Sequence, residues 1–416
     1  MTEPSDSAGR TSFRRRSGKW LAVALTIVLG LVAAGIVAFV VFVRSSGPGD
    51  PGDFYVAPSP LPEDEPGTVI RSEELDEPPA GSRAWKILYL SKSYTGEPTA
   101  VSGLLFVPTT PAPEGGRQVV ASTHGTIGIA FQCGGSNLGP SYYPAIDGLE
   151  EFLRAGYVVA ATDYQGLGTP GPHPYLVGES EAAAALDAVR AARLFAPAEA
   201  GSRFAVYGAS QGGQAALFTG QEASSYAPDL DLVGVAAAAP ATDLANLFEA
   251  NRDTTFGRVL SAYTIDAWTK IYPQLDIDEL VTRAAQPVVR QIAGLCILVD
   301  RNSTISAALV SELLRISYLK AVPWEVEPWK GLISLNSPGA EWIGAPVYIA
   351  QGEADMLVRP EITRDFVERL CRQNETVEYR TYPGVGHVQV GGAASAGVVE
   401  WVADRFAGEP APTTCS

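Results

Sequence analysis

Histidine is scarce in this chain of 416 residues: His124, His173 and His387 are the whole supply, and there are four cysteines. Three imidazoles, and thiols whose spacings match no zinc pattern, leave little for a metal centre, so neither metal nor cofactor is expected. Basic residues are also few. Thirty Lys and Arg stand against 46 Asp and Glu, a formal net charge of −16. Residues 1–19 hold five of the basic and two of the acidic side chains, so the remainder carries −19. An acidic exterior argues against nucleic acid or other polyanionic partners and favours solubility outside the cell. No internal repeat is visible.

One long run lacks charge altogether. Trp20 to Val43 is 24 residues, about 36 Å as a helix, enough to cross a hydrocarbon layer of roughly 30 Å with some tilt. A cleaved signal peptide is the rival, but its apolar region is usually about 7 to 15 residues and ends in a small-residue site that Arg44-Ser45-Ser46-Gly47 does not offer. The run therefore reads as an uncleaved transmembrane anchor. Arg10, Arg14, Arg15, Arg16 and Lys19 precede it, so the positive-inside rule leaves residues 1–19 in the cytoplasm and the rest outside. Gly30, Ala34 and Ala38 at four-residue spacing are a weak hint of a helix dimer. Residues 44–67, rich in Pro, Gly and acids, cannot bury a core and read as a tether holding the domain 68–416 off the membrane. Cys133, Cys296, Cys371 and Cys415 all fall in the outer part, where disulfides persist, and three pairings are open.

The 46% hydrophobic content is ample for a sizeable core. RAWKILYLSKS and TAVSGLLFVP read as an antiparallel pair. Apolar runs then recur as RQVVAST, YVVAATD, RFAVYGA, DLVGVAAAA, APVYIAQ and VEYRTYP, with helical patterns between most of them. The alternation predicts an α/β fold with a mostly parallel, eight-stranded sheet covered on both faces. About residues 244–340, between the sixth and seventh strands, are too many for an ordinary connection and must fold as a helical insertion. Its aromatics Phe256, Tyr263, Trp268, Tyr272, Trp324 and Trp329 either line an apolar substrate surface or form the insertion's own core. Trp268 is chosen as the substrate-lining candidate.

Within Arg203 to Phe218, a strand-like run breaks into Gly208-Ala209-Ser210-Gln211-Gly212 and continues as a helix. Glycines on either side of Ser210 suit a turn too tight for Cβ atoms, holding the hydroxyl at a strained angle between strand and helix. The bland alternative is a serine that caps a helix. A hydroxyl needs an imidazole base and a carboxylate behind it to become a useful nucleophile. His387 is the only histidine after Ser210, on a Pro-Gly-Gly loop following a strand. Asp355, on the short loop leaving APVYIAQ, is the preferred acid. Asp243 and Glu353 are rivals, Asp243 because it follows the preceding strand, although it also suits the cap of a helix beginning at Leu244.

With these residues in view, the chain resembles the secretory lipase branch of the α/β-hydrolases, of the Candida lipase A type. Four motifs carry the likeness: STHGTIGIAFQC at 122–133, DYQGLG at 163–168, YGASQGG at 207–213, and the pair QGEADMLV and GVGH. It covers roughly residue 80 to the C-terminus. Cys133-Gly134-Gly135-Ser136 departs from it, since many relatives have Ala-Pro between Cys and Ser. Eight strands with the serine after the fifth match the order of that fold. The resemblance implies disulfides Cys133–Cys296, tying a loop beside the site to the insertion, and Cys371–Cys415, stapling the C-terminal tail.

The expected activity is extracellular carboxylic ester hydrolysis on a lipid or small ester, with Ser210 as nucleophile, His387 as base and Asp355 orienting the imidazole. The N–H of Gln211 and a donor from Thr126 are the candidate oxyanion hole. His124 is expected to brace its loop. Asp163 reads as a turn residue, with a buried acceptor as the alternative. A membrane-tethered serine peptidase, or a catalytically silent cell-surface binding module, are the competing functions.

Overall fold

The computed structural model describes residues 52–415; the basic tail 1–19, the span 20–43 and the first part of the tether lie outside the described residues. Among the described residues, no helix is long and apolar enough to cross a membrane. One sheet of nine strands organises the domain. The strands are β1 (Val69–Glu74), β2 (Ser82–Lys92), β3 (Pro98–Pro108), β4 (Arg117–Thr123), β5 (Val158–Thr162), β6 (Ala200–Ala209), β7 (Asp231–Ala238), β8 (Val347–Gly352) and β9 (Val377–Tyr382). Their spatial order is β1-β2-β3-β5-β4-β6-β7-β8-β9. The pairs β1/β2, β2/β3 and β3/β5 are antiparallel and the other five are parallel.

The central strands bury both faces, which is why β4, β5 and β7 read as runs of Val and Ala rather than as an apolar–polar alternation. Helices α1 (Gly178–Leu194) and α2 (Gln211–Tyr226) pack against each other and against this centre. Their approach is close: a Cβ on Gly178 would stand 2.2 Å from the Phe218 ring.

The sheet has one more strand than the eight expected. β1, Val69-Ile70-Arg71-Ser72-Glu73-Glu74, carries no apolar alternation because it is an edge strand with four exposed residues. It is held by its ladder to β2 and by the ion pairs Glu74–Arg83 and Glu73–Lys86, each at 2.8 Å. Charges along an outer strand also discourage pairing with another chain. Ser210 therefore follows the sixth strand, and the insertion lies between the seventh and eighth.

That insertion contains α3 (Leu244–Asn251), α4 (Thr255–Ile271), α5 (Gln286–Ala293), α6 (Arg301–Ser311) and α7 (Trp329–Leu335). The Asp243 side chain caps α3 by accepting from Asn246 N, 3.0 Å away. Thr254 and Asp300 cap α4 and α6 in the same way. Trp268 corrects an expectation: it is 0% exposed, stacked 5.8 Å from Trp329, and its indole N–H donates to the Tyr175 carbonyl at 2.7 Å. It is the insertion's own core and the pin that fastens it to the sheet domain, so it lines no substrate surface. After the insertion come α8 (Pro360–Arg372) and α9 (Val390–Ala407). Disulfides join Cys133 to Cys296 and Cys371 to Cys415, with Cα separations of 5.5 and 5.4 Å.

Candidate active site

Ser210 sits between β6 and α2 with φ 60° and ψ −119°, a conformation that L side chains rarely adopt. It is held there by hydrogen bonds from its N–H to the Ala238 carbonyl and to its own carbonyl from Gln214 N and Ala241 N. The flanking glycines are required by crowding. A Cβ on Gly208 would lie 2.2 Å from Thr123 Oγ1, and one on Gly212 would lie 2.0 Å from the Thr123 carbonyl oxygen. Strand β4 thus presses against the turn and leaves no room for a side chain two residues before or two residues after the serine.

His387 follows β9 on its loop, and Asp355 leaves β8 on another. Because β8 and β9 are adjacent and parallel, both loops emerge at the same end of the sheet. His387 Nε2 is 2.9 Å from Ser210 Oγ, and His387 Nδ1 is 2.7 Å from Asp355 Oδ2. Asp355 is 2% exposed; its Oδ1 accepts from Leu357 N and Val358 N at 2.8 and 2.9 Å. Those two bonds fix the carboxylate, and the carboxylate in turn assigns the ring proton to Nδ1, leaving Nε2 to accept from the serine hydroxyl. An imidazole held this way beside a hydroxyl is the arrangement that activates a serine. Neither rival acid is near: Asp243 caps α3, and Glu353 accepts from Thr381 Oγ1 at 2.9 Å.

Thr126 and Gln211 border one small recess with Ser210, about 10 Å³ in volume, room for roughly one water-sized group. The Thr126 hydroxyl is engaged with Tyr175 Oη at 2.8 Å. The Gln211 N–H, in the first turn of α2, has no acceptor within that helix. His124 spans its loop, with Nδ1 2.7 Å from the Gly125 carbonyl and Nε2 3.3 Å from the Asp163 carbonyl. Burial lowers its pKa. Asp163 is more than a turn residue: its buried carboxylate accepts from Ser102 Oγ at 2.7 Å, from Ser136 N at 2.9 Å and from Ser136 Oγ, joining β3 to the short helical turn Gly135–Leu138 that follows Cys133.

The serine opens onto a cleft of about 690 Å³ lined by His124, Gly125, Thr126 and His387, and by Phe256, Leu260, Leu298 and Val299 of the insertion. Sequence reasoning missed most of this lining, since aromatic and aliphatic residues at helical spacing do not announce which face they present. It also missed Glu181 and His173. Glu181 Oε1 accepts from Gln211 Nε2 at 2.7 Å and from Leu176 N at 3.1 Å, and burial pushes its carboxyl up to about 8. His173 Nδ1 donates to the Gln165 carbonyl at 2.8 Å, and burial pushes its imidazole down to about 3. An acid within the alanine-rich run GESEAAAALD was the available signal for Glu181.

The profile of the secretory lipase family matches residues 148–414. A secreted triacylglycerol lipase of Malassezia globosa is 24% identical over 389 residues, spanning 87% of this chain and 80% of that protein. A probable inactive lipase of Mycobacterium tuberculosis is 24% identical over 395 residues, spanning 86% and 82%. The structure of Candida antarctica lipase A in its closed state superposes with a TM-score of 0.73 at 17% identity, covering 89% of each chain, which shows a shared fold. A family match over most of the folded domain, on a sheet that presents a serine at such a turn, leads to one conclusion: the chain belongs to the secretory lipase family and is a carboxylic ester hydrolase.

Proposed function

We propose that Ser210, His387 and Asp355 hydrolyse esters through an acyl-enzyme intermediate. The observation that carries this reading is the continuous relay from Asp355 Oδ2 through His387 to Ser210 Oγ, 2.7 and then 2.9 Å, opening on the cleft. As Ser210 Oγ bonds to the acyl carbon, its proton passes to His387 Nε2 and the carbonyl electron pair moves onto oxygen. The N–H groups of Gln211 and Thr126 receive that oxyanion in the recess they share with the serine. Collapse breaks the bond to the alcohol, which leaves with the proton from His387. Water then attacks the acyl-serine by the same route, and the carboxylic acid departs. Asp355 keeps the imidazole oriented and stabilises its charged form.

The apolar lining from Phe256, Leu260, Leu298 and Val299 suits an acyl chain, so the substrate is a lipid or small ester. Two disulfides and the acidic composition agree with a catalytic domain outside the cell, as do the name of the matched family and that of the Malassezia relative. Residues 20–43 serve as its membrane anchor, a reading supported by their uncharged length and the arginines before them. The test is a panel of esters from acetyl to long acyl chains, with peptide amides alongside and a serine-reactive phosphonate as label. Ester turnover with label on Ser210 is expected. Label on another serine overturns the triad, preferential amide cleavage overturns the substrate class, and extraction of the full chain from membranes by alkaline carbonate overturns the anchor.

A further inference from the structure

Asp147 lines the same cleft as Ser210 and His387 yet has no part in the chemistry above. Its carboxylate lies on the first turn of α9: a Cβ on Gly391 would fall 2.0 Å from Oδ2, and one on Gly392 would fall 3.9 Å from Oδ1. The paired glycines clear the space the carboxylate occupies. Among the described residues Asp147 accepts no hydrogen bond and meets no cation. The ionisable groups that feel its charge are the phenols of Tyr142 and Tyr207, both neutral, and the Tyr207 hydroxyl is spent on the Gly391 carbonyl at 2.6 Å. Burial alone pushes the carboxyl up to about 6, which still leaves it mostly ionised at neutral pH. The α9 dipole offsets part of that desolvation. It supplies no hydrogen bond. An ionised, half-buried carboxylate without a donor, facing a ligand cleft, lacks the partner that buried charges elsewhere in this protein have.

Its place in the cleft says which part of a substrate can supply that partner. In acyl transfer the alcohol leaves past the imidazole that protonates it, so it lies on the His387 side of the scissile bond. Val388 and Gln389 follow His387 directly and also line the cleft, and Asp147 contacts Gly391 two residues further on. Ser141 adds a hydroxyl to the same lining. The insertion instead contributes the apolar Phe256, Leu260, Leu298 and Val299, with two polar residues, Asn251 and Thr254, whose side-chain donors are already spent on the carbonyls of Leu247 and Leu357 and of Asn251. We propose that Asp147 receives the alcohol portion of the substrate, and that this portion presents positive potential, as a free hydroxyl or as an ammonium group. The inference rests on the ester-hydrolase reading and names its substrate class.

Two ester pairs that share a butyryl group test it on the full-length protein. Choline butyrate is compared with its uncharged isostere 3,3-dimethylbutyl butyrate, and 2-hydroxyethyl butyrate with propyl butyrate. The wild-type protein should favour the polar member of at least one pair by about tenfold in kcat/KM, the size of one charge-assisted hydrogen bond from the hydroxyl or of one partly desolvated ion pair with the quaternary ammonium, which has no N–H to donate. The pair that shows it tells ammonium from hydroxyl. Asp147→Asn should bring that ratio close to unity. Because the ratio is taken within one preparation, any loss of folded protein cancels. A second measurement needs no variant: free choline or ethylene glycol should inhibit the wild-type protein more strongly than 3,3-dimethylbutanol or propanol, respectively. Turnover of all four esters without preference, or a preference that survives Asp147→Asn, overturns this inference alone. Turnover of none removes the ester-hydrolase reading and this inference with it.

Discussion

Gln211 Nε2 lies 2.7 Å from Glu181 Oε1, with both side chains buried and Gln211 next in the chain to Ser210. A proton held by Glu181 up to about pH 8 in the folded protein is lost near pH 4.5 in the unfolded chain. Between those values the folded state binds more protons, so stability declines as pH rises through that window and levels off above it. The limit of the effect is about 5 kcal/mol. Glu181→Gln should flatten this part of the pH dependence and raise Tm at pH 8 relative to wild type, measured by scanning calorimetry from pH 5 to 9. Parallel curves for the two proteins would show that Glu181 is ionised in the fold.

Ser210→Ala and His387→Ala are each expected to lower ester turnover by about 10⁴-fold or more with the circular dichroism spectrum unchanged, because triad members act as a unit. Asp355→Asn should fall by a somewhat smaller factor. Asp243→Asn should change turnover little, since asparagine also caps a helix well. A large loss in Asp243→Asn with none in Asp355→Asn would move the acid to the other strand end.

Trp268 and Phe256 separate stability from specificity. Trp268→Ala empties a stacked, fully buried position and should destabilise the domain by about 3 to 5 kcal/mol in urea unfolding, with the acyl-length profile of the surviving activity retained. Phe256→Ala, at the cleft, should reduce kcat/KM for long acyl esters more than for acetyl esters, because only the long chain reaches it. A uniform fall across all lengths for Phe256→Ala would remove it from the acyl path.

Mass-spectrometric mapping without reduction should recover the peptides of Cys133 and Cys296 as one linked species, and those of Cys371 and Cys415 as another. In the chain-entropy model, loops of 163 and 44 residues correspond to about 5 and 4 kcal/mol of stabilisation. Free thiols in the native protein would contradict this.

What the sequence made legible was set by how few alternatives each role had. His387 stood alone after Ser210, and the loops carrying Asp355 and His387 followed recognisable strands, so their meeting at one sheet end was a matter of topology. The insertion was visible from its length. Edge strand β1 was not, because an exposed strand needs no apolar period and Val69–Glu74 shows none. Trp268 and Phe256 occupy the same helix, and only the packing of Trp329 and Tyr175 decides that one faces inward and the other the cleft. Asp147 and Glu181 were hidden for a further reason: a lone acid reads as solvated surface until the fold takes its water away.

The bond between Cys133 and Cys296 limits how the active site can be reached. The insertion leaves the sheet after β7 and returns at β8, and this crosslink adds a third attachment, to the loop beyond β4. A body fixed at three separated points cannot swing as a door does. Access for a large ester must come from local yielding of segments between those points, while reduction of this one bond would give the insertion back its hinge.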